Sequence, residues 1–83
     1  MLTEESQRVA DRAKRLYEER YRQSLEESHN GCFVCIEPES GEYFLGRTFD
    51  DAVNRAIDVH PNRLTHTLRV GHAAALHLGV MIQ

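Results

Sequence analysis

The segment Gly31–Ala56, GCFVCIEPESGEYFLGRTFDDAVNRA, reads as a strand, a tight turn, a second strand and a capped helix. Cys32 to Ile36 is a continuous apolar run with β-branched and aromatic members, the length of a buried strand. Glu37-Pro38-Glu39-Ser40-Gly41 supplies the turn: proline presets φ at the second position, and glycine accepts a positive φ near the exit. Glu42 to Gly46 returns as the second strand. With Glu37 opposite Glu42, Ile36 pairs with Tyr43, Cys35 with Phe44 and Val34 with Leu45. One face then carries Cys32, Val34, Ile36, Tyr43 and Leu45, and the other carries Phe33, Cys35 and Phe44. Thr48 caps the following helix, with Asp51 at its third position. Phe49, Ala52, Val53, Ala56, Ile57 and His60 keep the 3.6-residue period of a core-facing stripe until Pro61 ends it.

Upstream, Thr3 is an N-cap with Glu4 and Glu5 in the first turn, where the helix dipole favours acids. No glycine or proline follows before Gly31, so a helix is predicted to about Ser28. Its apolar stripe is Leu2, Val9, Ala13, Leu16, Tyr17, Tyr21 and Leu25. Glu4–Arg8, Asp11–Arg15 and Glu18–Arg22 place the acid four residues before the base, the favourable order. Six basic residues alternate with seven acids here, which describes a solvated face rather than a nucleic-acid stripe. His29, Asn30 and Gly31 stop the helix. Downstream, Leu64, His66, Leu68 and Val70 alternate with Thr65, Thr67 and Arg69 as a third strand, and Gly71 interrupts it. The tail after it reads equally as a helix through Ala73–Leu78 or as a strand.

These elements make a single α+β domain over residues 1–83: a leading amphipathic helix (1–29), a ββαβ core (30–71) and an apolar tail (72–83). The order is α-β-β-α-β, with the tail as a further helix or strand. The most apolar strand belongs in the centre of a small mixed sheet, which gives the strand order 2-1-3. The second helix makes a crossover, expected to be right-handed. It is expected over Val34, Ile36, Tyr43, Leu45, Leu64, Leu68 and Val70.

A net charge of −3 gives no electrostatic case for duplex nucleic acid or an anionic membrane. Two cysteines are too few for a disulfide framework, the first residues are acidic where a signal peptide is basic, and no apolar run approaches ~20 residues. The expectation is a soluble cytoplasmic protein. Cys32-x-x-Cys35 sits inside a strand, where alternation sends the two sulfurs to opposite faces, so neither a disulfide nor shared chelation is expected. None of the five histidines shares the i, i+4 spacing of a helical metal pair. Glu37, Glu39 and Glu42 surround a hairpin tip rather than a cleft that would separate their pKa values. No nucleotide-binding, hydrolase or zinc-protease motif occurs. No catalysis, cofactor or metal is therefore expected.

The remaining feature is a hairpin apolar on both faces. One helix covers one face, which leaves Phe33, Cys35 and Phe44, with Arg69 beside them, as a partner-binding surface. The expected occupant is a second copy in a homodimer or a small protein partner, with closure of the face by the first helix and the tail of the same chain as the intramolecular alternative. The functional alternative is an RNA or single-stranded nucleic-acid platform, with Phe33 and Phe44 stacking bases beside Thr65, Thr67 and Arg69.

Tyr43-Phe44-Leu45-Gly46-Arg47-Thr48-Phe49-Asp50-Asp51-Ala52 is similar to the strand–Gly-x-Thr–helix joint of HicB-type antitoxin domains. Over Gly31–Gly71 the chain more closely resembles small bacterial domains of unknown function that carry this joint after an IEPESGEYF-like hairpin. The first resemblance implies an antitoxin-like role against a small RNA-cleaving toxin; the second implies a bacterial source.

Overall fold

Thr3 and Thr48 start the two helical stretches. Thr3 Oγ1 accepts the Ser6 N–H at 3.0 Å and Thr48 Oγ1 accepts the Asp51 N–H at 3.1 Å, each from an extended backbone that cannot itself be helical. The computed structural model describes residues 3–72. Leu2 and the tail 73–83, for which the sequence leaves helix and strand open, lie outside the described residues. The leading stretch is α1 (Glu4–Leu16), a π-helical turn (Tyr17–Tyr21) and α2 (Arg22–Ser28) in succession. The π turn has a reason in the stripe. Ala13, Tyr17, Tyr21 and Leu25 fall every four residues, and in a pure α-helix each would rotate about 40° from the one before. One widened turn absorbs the excess, so that Ala13, Tyr17 and Leu25 all stay buried in one core cluster.

β1 (Phe33–Glu37) lies between β2 (Glu42–Gly46) and β3 (His66–Arg69), the order expected from the sequence. The hairpin register is also as expected: Val34 faces Leu45, Cys35 faces Phe44, Ile36 faces Tyr43 and Glu37 faces Glu42. β3 pairs on the other side, with Phe33 opposite Arg69 and Ile36 opposite His66. Both ladders are antiparallel, so the two outer strands run in the same direction without being neighbours. α3 (Phe49–Val59) is the crossover between them. None of the helices among the described residues is long and apolar enough to cross a membrane.

The assignment of helices to sheet faces is the reverse of the expectation. Val34, Ile36 and Val70, with Leu45 and Leu68 at the margin, pack against Ala13, Tyr17 and Leu25 of the leading stretch. Cys35, Phe33 and Phe44 pack against Ala52, Ala56 and Val53 of α3. The cause is local. Gly46 shares a face with Phe44, and its absent Cβ is replaced by the backbone of α3: a Cβ there would collide with Ala52 N and stand 2.7 Å from Asp51 Cβ. Only the glycine face of β2 lets a helix turn back so closely, and that face is the one carrying Phe44 and Cys35. Side-chain size then matches on both sides. The alanines of α3 lie over the bulky phenylalanines, and the tyrosines and leucine of the leading stretch lie over the aliphatic face.

Candidate functional site

Phe33, Cys35, Phe44 and Arg69 do share one sheet face, as their pairings require. α3 covers part of that face: Cys35 is buried, Phe33 and Phe44 are partly buried, and Arg69 is exposed. Cys35 is 0% exposed beneath Ala52 and Ala56, so over it the cover assigned to a partner is supplied by α3. Phe44 meets the His60 ring edge-on at 6.0 Å between centroids, and His60 Nε2 lies 2.6 Å from Glu42 Oε1. Phe33 meets Phe49 edge-on at 6.3 Å. The Arg69 guanidinium stands 5.6 Å over the Phe33 ring, and its Nε–H donates to the Gly31 carbonyl at 3.2 Å. The two phenylalanines are thus held edge-on by neighbours, and neither offers the flat open platform on which bases would stack. Cys32 is half-buried and Cys35 buried, both as free thiols.

α3 also has an outer side. Phe49, Val53 and Ile57 recur every four residues along one flank of it, and Phe49 and Ile57 remain 53% and 49% exposed. The sequence stripe places both in the core. The helix instead seats itself through Ala52 and Ala56, and two larger residues of its stripe are left at the rim.

A second feature sits at the hairpin tip. Glu37 ends β1 only 1% exposed, yet it is fully partnered. Its carboxylate accepts the Glu39 N–H at 2.9 Å and the Ser40 N–H at 2.8 Å, and Arg63 Nη1 approaches at 3.5 Å. Burial pushes the Glu37 carboxyl up, but the Ser40 and Glu39 hydrogen bonds and the Arg63 charge together outweigh it and hold the group below its ordinary range. Arg63 also pairs with Glu39 at 3.1 Å. The turn so fixed forms one wall of a cleft of about 420 Å³, with α1 as the other wall. Arg8, Arg12 and Arg63 enter it over the apolar side chains of Val9, Pro38 and Leu64. In sequence these glutamates look like a solvated rim and the α1 arginines like a solvated face. The signal that joins them is tertiary: the Pro38 carbonyl faces Arg12, with Nη2 at 3.5 Å.

No protein-family model, curated protein or solved structure matches this chain.

Proposed function

We propose that the chain is a non-catalytic protein-interaction module of the bacterial cytoplasm, and that its first partner is a second copy of itself. The observation behind this reading is the pair Phe49 and Ile57 on α3, two half-exposed large apolar residues one turn to either side of Val53, which itself packs against the sheet. The two residues suit a two-fold axis. An antiparallel pair of α3 helices centred on Val53 sets Phe49 of each copy against Ile57 of the other, which satisfies the self-complementarity that a two-fold interface requires. Both large residues are half-exposed, so their burial from two copies removes apolar surface worth on the order of 4 kcal/mol. Set against the cost of association, that is the scale of a weak, concentration-dependent dimer. A small protein partner, a toxin in the antitoxin-like version, is the competing occupant of the same stripe.

Sedimentation velocity over a concentration series reaching ~1 mM tests this. The expected result is a monomer–dimer equilibrium that Phe49→Ser combined with Ile57→Ser abolishes without loss of helical signal. A monomer throughout, or a dimer indifferent to the double substitution, overturns the self-association.

A further inference from the structure

We infer that the groove between α1 and the hairpin turn binds an acidic segment of another polypeptide, a ligand surface separate from the α3 stripe. The groove has two pockets, of about 420 and 140 Å³, that share Arg12 and Pro38 as a saddle between them. Arg8 lies in the larger pocket, and Arg15 and Arg20 in the smaller. Arg8, Arg12 and Arg15 follow one another at helical spacing, so one side of α1 aims them along the groove. None of the ion pairs among the described residues involves Arg8, Arg12, Arg15 or Arg20. Of the acid-before-base pairs the sequence allows, only Glu18–Arg22 forms among the described residues, at 2.8 Å, and Arg22 also holds Glu26, four residues after it, at 3.1 Å.

The carboxylates in the groove are unequal. Glu37 and Glu39 are committed to the turn and to Arg63, which leaves Glu5 and Glu19 facing the four guanidinium groups that stand outside those ion pairs. Five arginines against four glutamates line the two pockets, a surplus of one positive charge in a chain of net charge −3. Guanidinium forks favour carboxylates, which they can bind through two parallel hydrogen bonds. The lining between them is apolar, with Val9 and Leu64 in one pocket and Leu16 in the other. Arginines interleaved with apolar lining match a peptide of alternating acidic and apolar residues, whose backbone would cross the saddle once and drop a side chain on each side. A polyphosphate strand matches less well, because Glu5 and Glu19 meet it in the groove and nothing flat receives its bases.

Fluorescence anisotropy with a short labelled peptide of alternating glutamate and leucine is the direct test, beside the lysine–leucine peptide and a labelled single-stranded RNA. Only the acidic peptide is expected to bind. Arg8→Gln combined with Arg12→Gln should weaken it roughly tenfold or more, as loss of charge-assisted hydrogen bonds implies. Arg55→Gln, on α3, should leave it unchanged. Circular dichroism and sedimentation of the same variants keep fold and self-association separate from the groove. Absence of acidic-peptide binding, binding indifferent to the double substitution, or preferential binding of the RNA overturns the proposal.

Discussion

The Tyr17 hydroxyl accepts the backbone N–H of Gly71 at 3.3 Å and donates to Glu26 Oε2 at 3.2 Å, joining the leading helical stretch to the residue that ends the β3 segment. Gly71 has φ +84, and a Cβ there would press on the Asn30 amide, so the chain leaves the sheet through a position only glycine fills comfortably. Tyr17→Phe keeps the ring in the core and removes only the hydroxyl. We expect it to cost about 1–2 kcal/mol in urea unfolding at unchanged m, because the Gly71 N–H loses its partner. Burial pushes the Tyr17 phenol above its ordinary 10.0, while the Gly71 hydrogen bond pulls the other way. The folded state therefore holds this proton longer than the unfolded chain does, and stability falls as pH rises past about 10. Tyr17→Phe should remove that part of the alkaline limb.

Glu37 governs the opposite end of the pH range. Its carboxyl is held below the ordinary 4.5 despite burial, so the unfolded chain takes up the proton first. The stability it contributes is complete above that value and is lost as pH falls through the depressed one. Glu37→Gln retains the shape but puts an amide donor where two backbone N–H groups point. The expected loss is about 1–3 kcal/mol at neutral pH, with a shallower acid limb below about pH 4.5. Equal acid limbs for the two proteins would contradict the assignment.

His66 makes a third, separable contribution. It lies on the α1 side of β3, where burial lowers its pKa below 6.5, the positive charge of Lys14 lowers it further, and Asp11 opposes both. A histidine so depressed stabilises the fold above pH 6.5, and that contribution is lost as pH falls towards the depressed value. NMR titration of the ring should show the low value directly, and Lys14→Gln should raise it. An unchanged titration in that variant would remove Lys14 as a cause.

The parts of this fold legible in the sequence are those fixed by a few neighbouring residues. Pro38 and Gly41 set the turn, the turn sets the register, and Thr3 and Thr48 announce their helices through side-chain oxygens. Which helix covers which face is not decided by hydrophobic pattern, because β1 is apolar on both sides and either stripe could serve either face. The four-residue spacing of Ala13, Tyr17, Tyr21 and Leu25 marks the π turn, but it also passes for ordinary helical periodicity. The arginine groove cannot be read at all from α1 alone. Its second wall arrives from the hairpin, about thirty residues later in a chain whose interleaved charges look neutral along a helix.

Gly46 is the one residue that could have decided the faces, and it yields the sharpest prediction. Two glycines near the sheet ends are needed for different reasons. Gly31 has φ +92 and open space within 4 Å of where a Cβ would stand, so its requirement is conformational. Gly46 has no left-handed φ, and its requirement is the close approach of α3, whose Ala52 N and Asp51 Cβ occupy the space a Cβ would take. Asparagine tolerates the left-handed region but cannot shrink. Gly31→Asn should therefore cost well under the roughly 1–2 kcal/mol expected of Gly31→Ala. Gly46→Ala should cost about 1–3 kcal/mol or more, since the colliding atoms include backbone that can move only by lifting α3 from Phe44 and Cys35. Gly46→Asn should be worse still. Thiol labelling of Cys35 gives an independent readout, because the residue is fully covered by Ala52 and Ala56 in the native protein. Faster labelling in Gly46→Ala, with Gly31→Ala unaffected at matched stability, is the expected pattern. Equal labelling in the two variants would place the consequence in global unfolding rather than in the seat of α3.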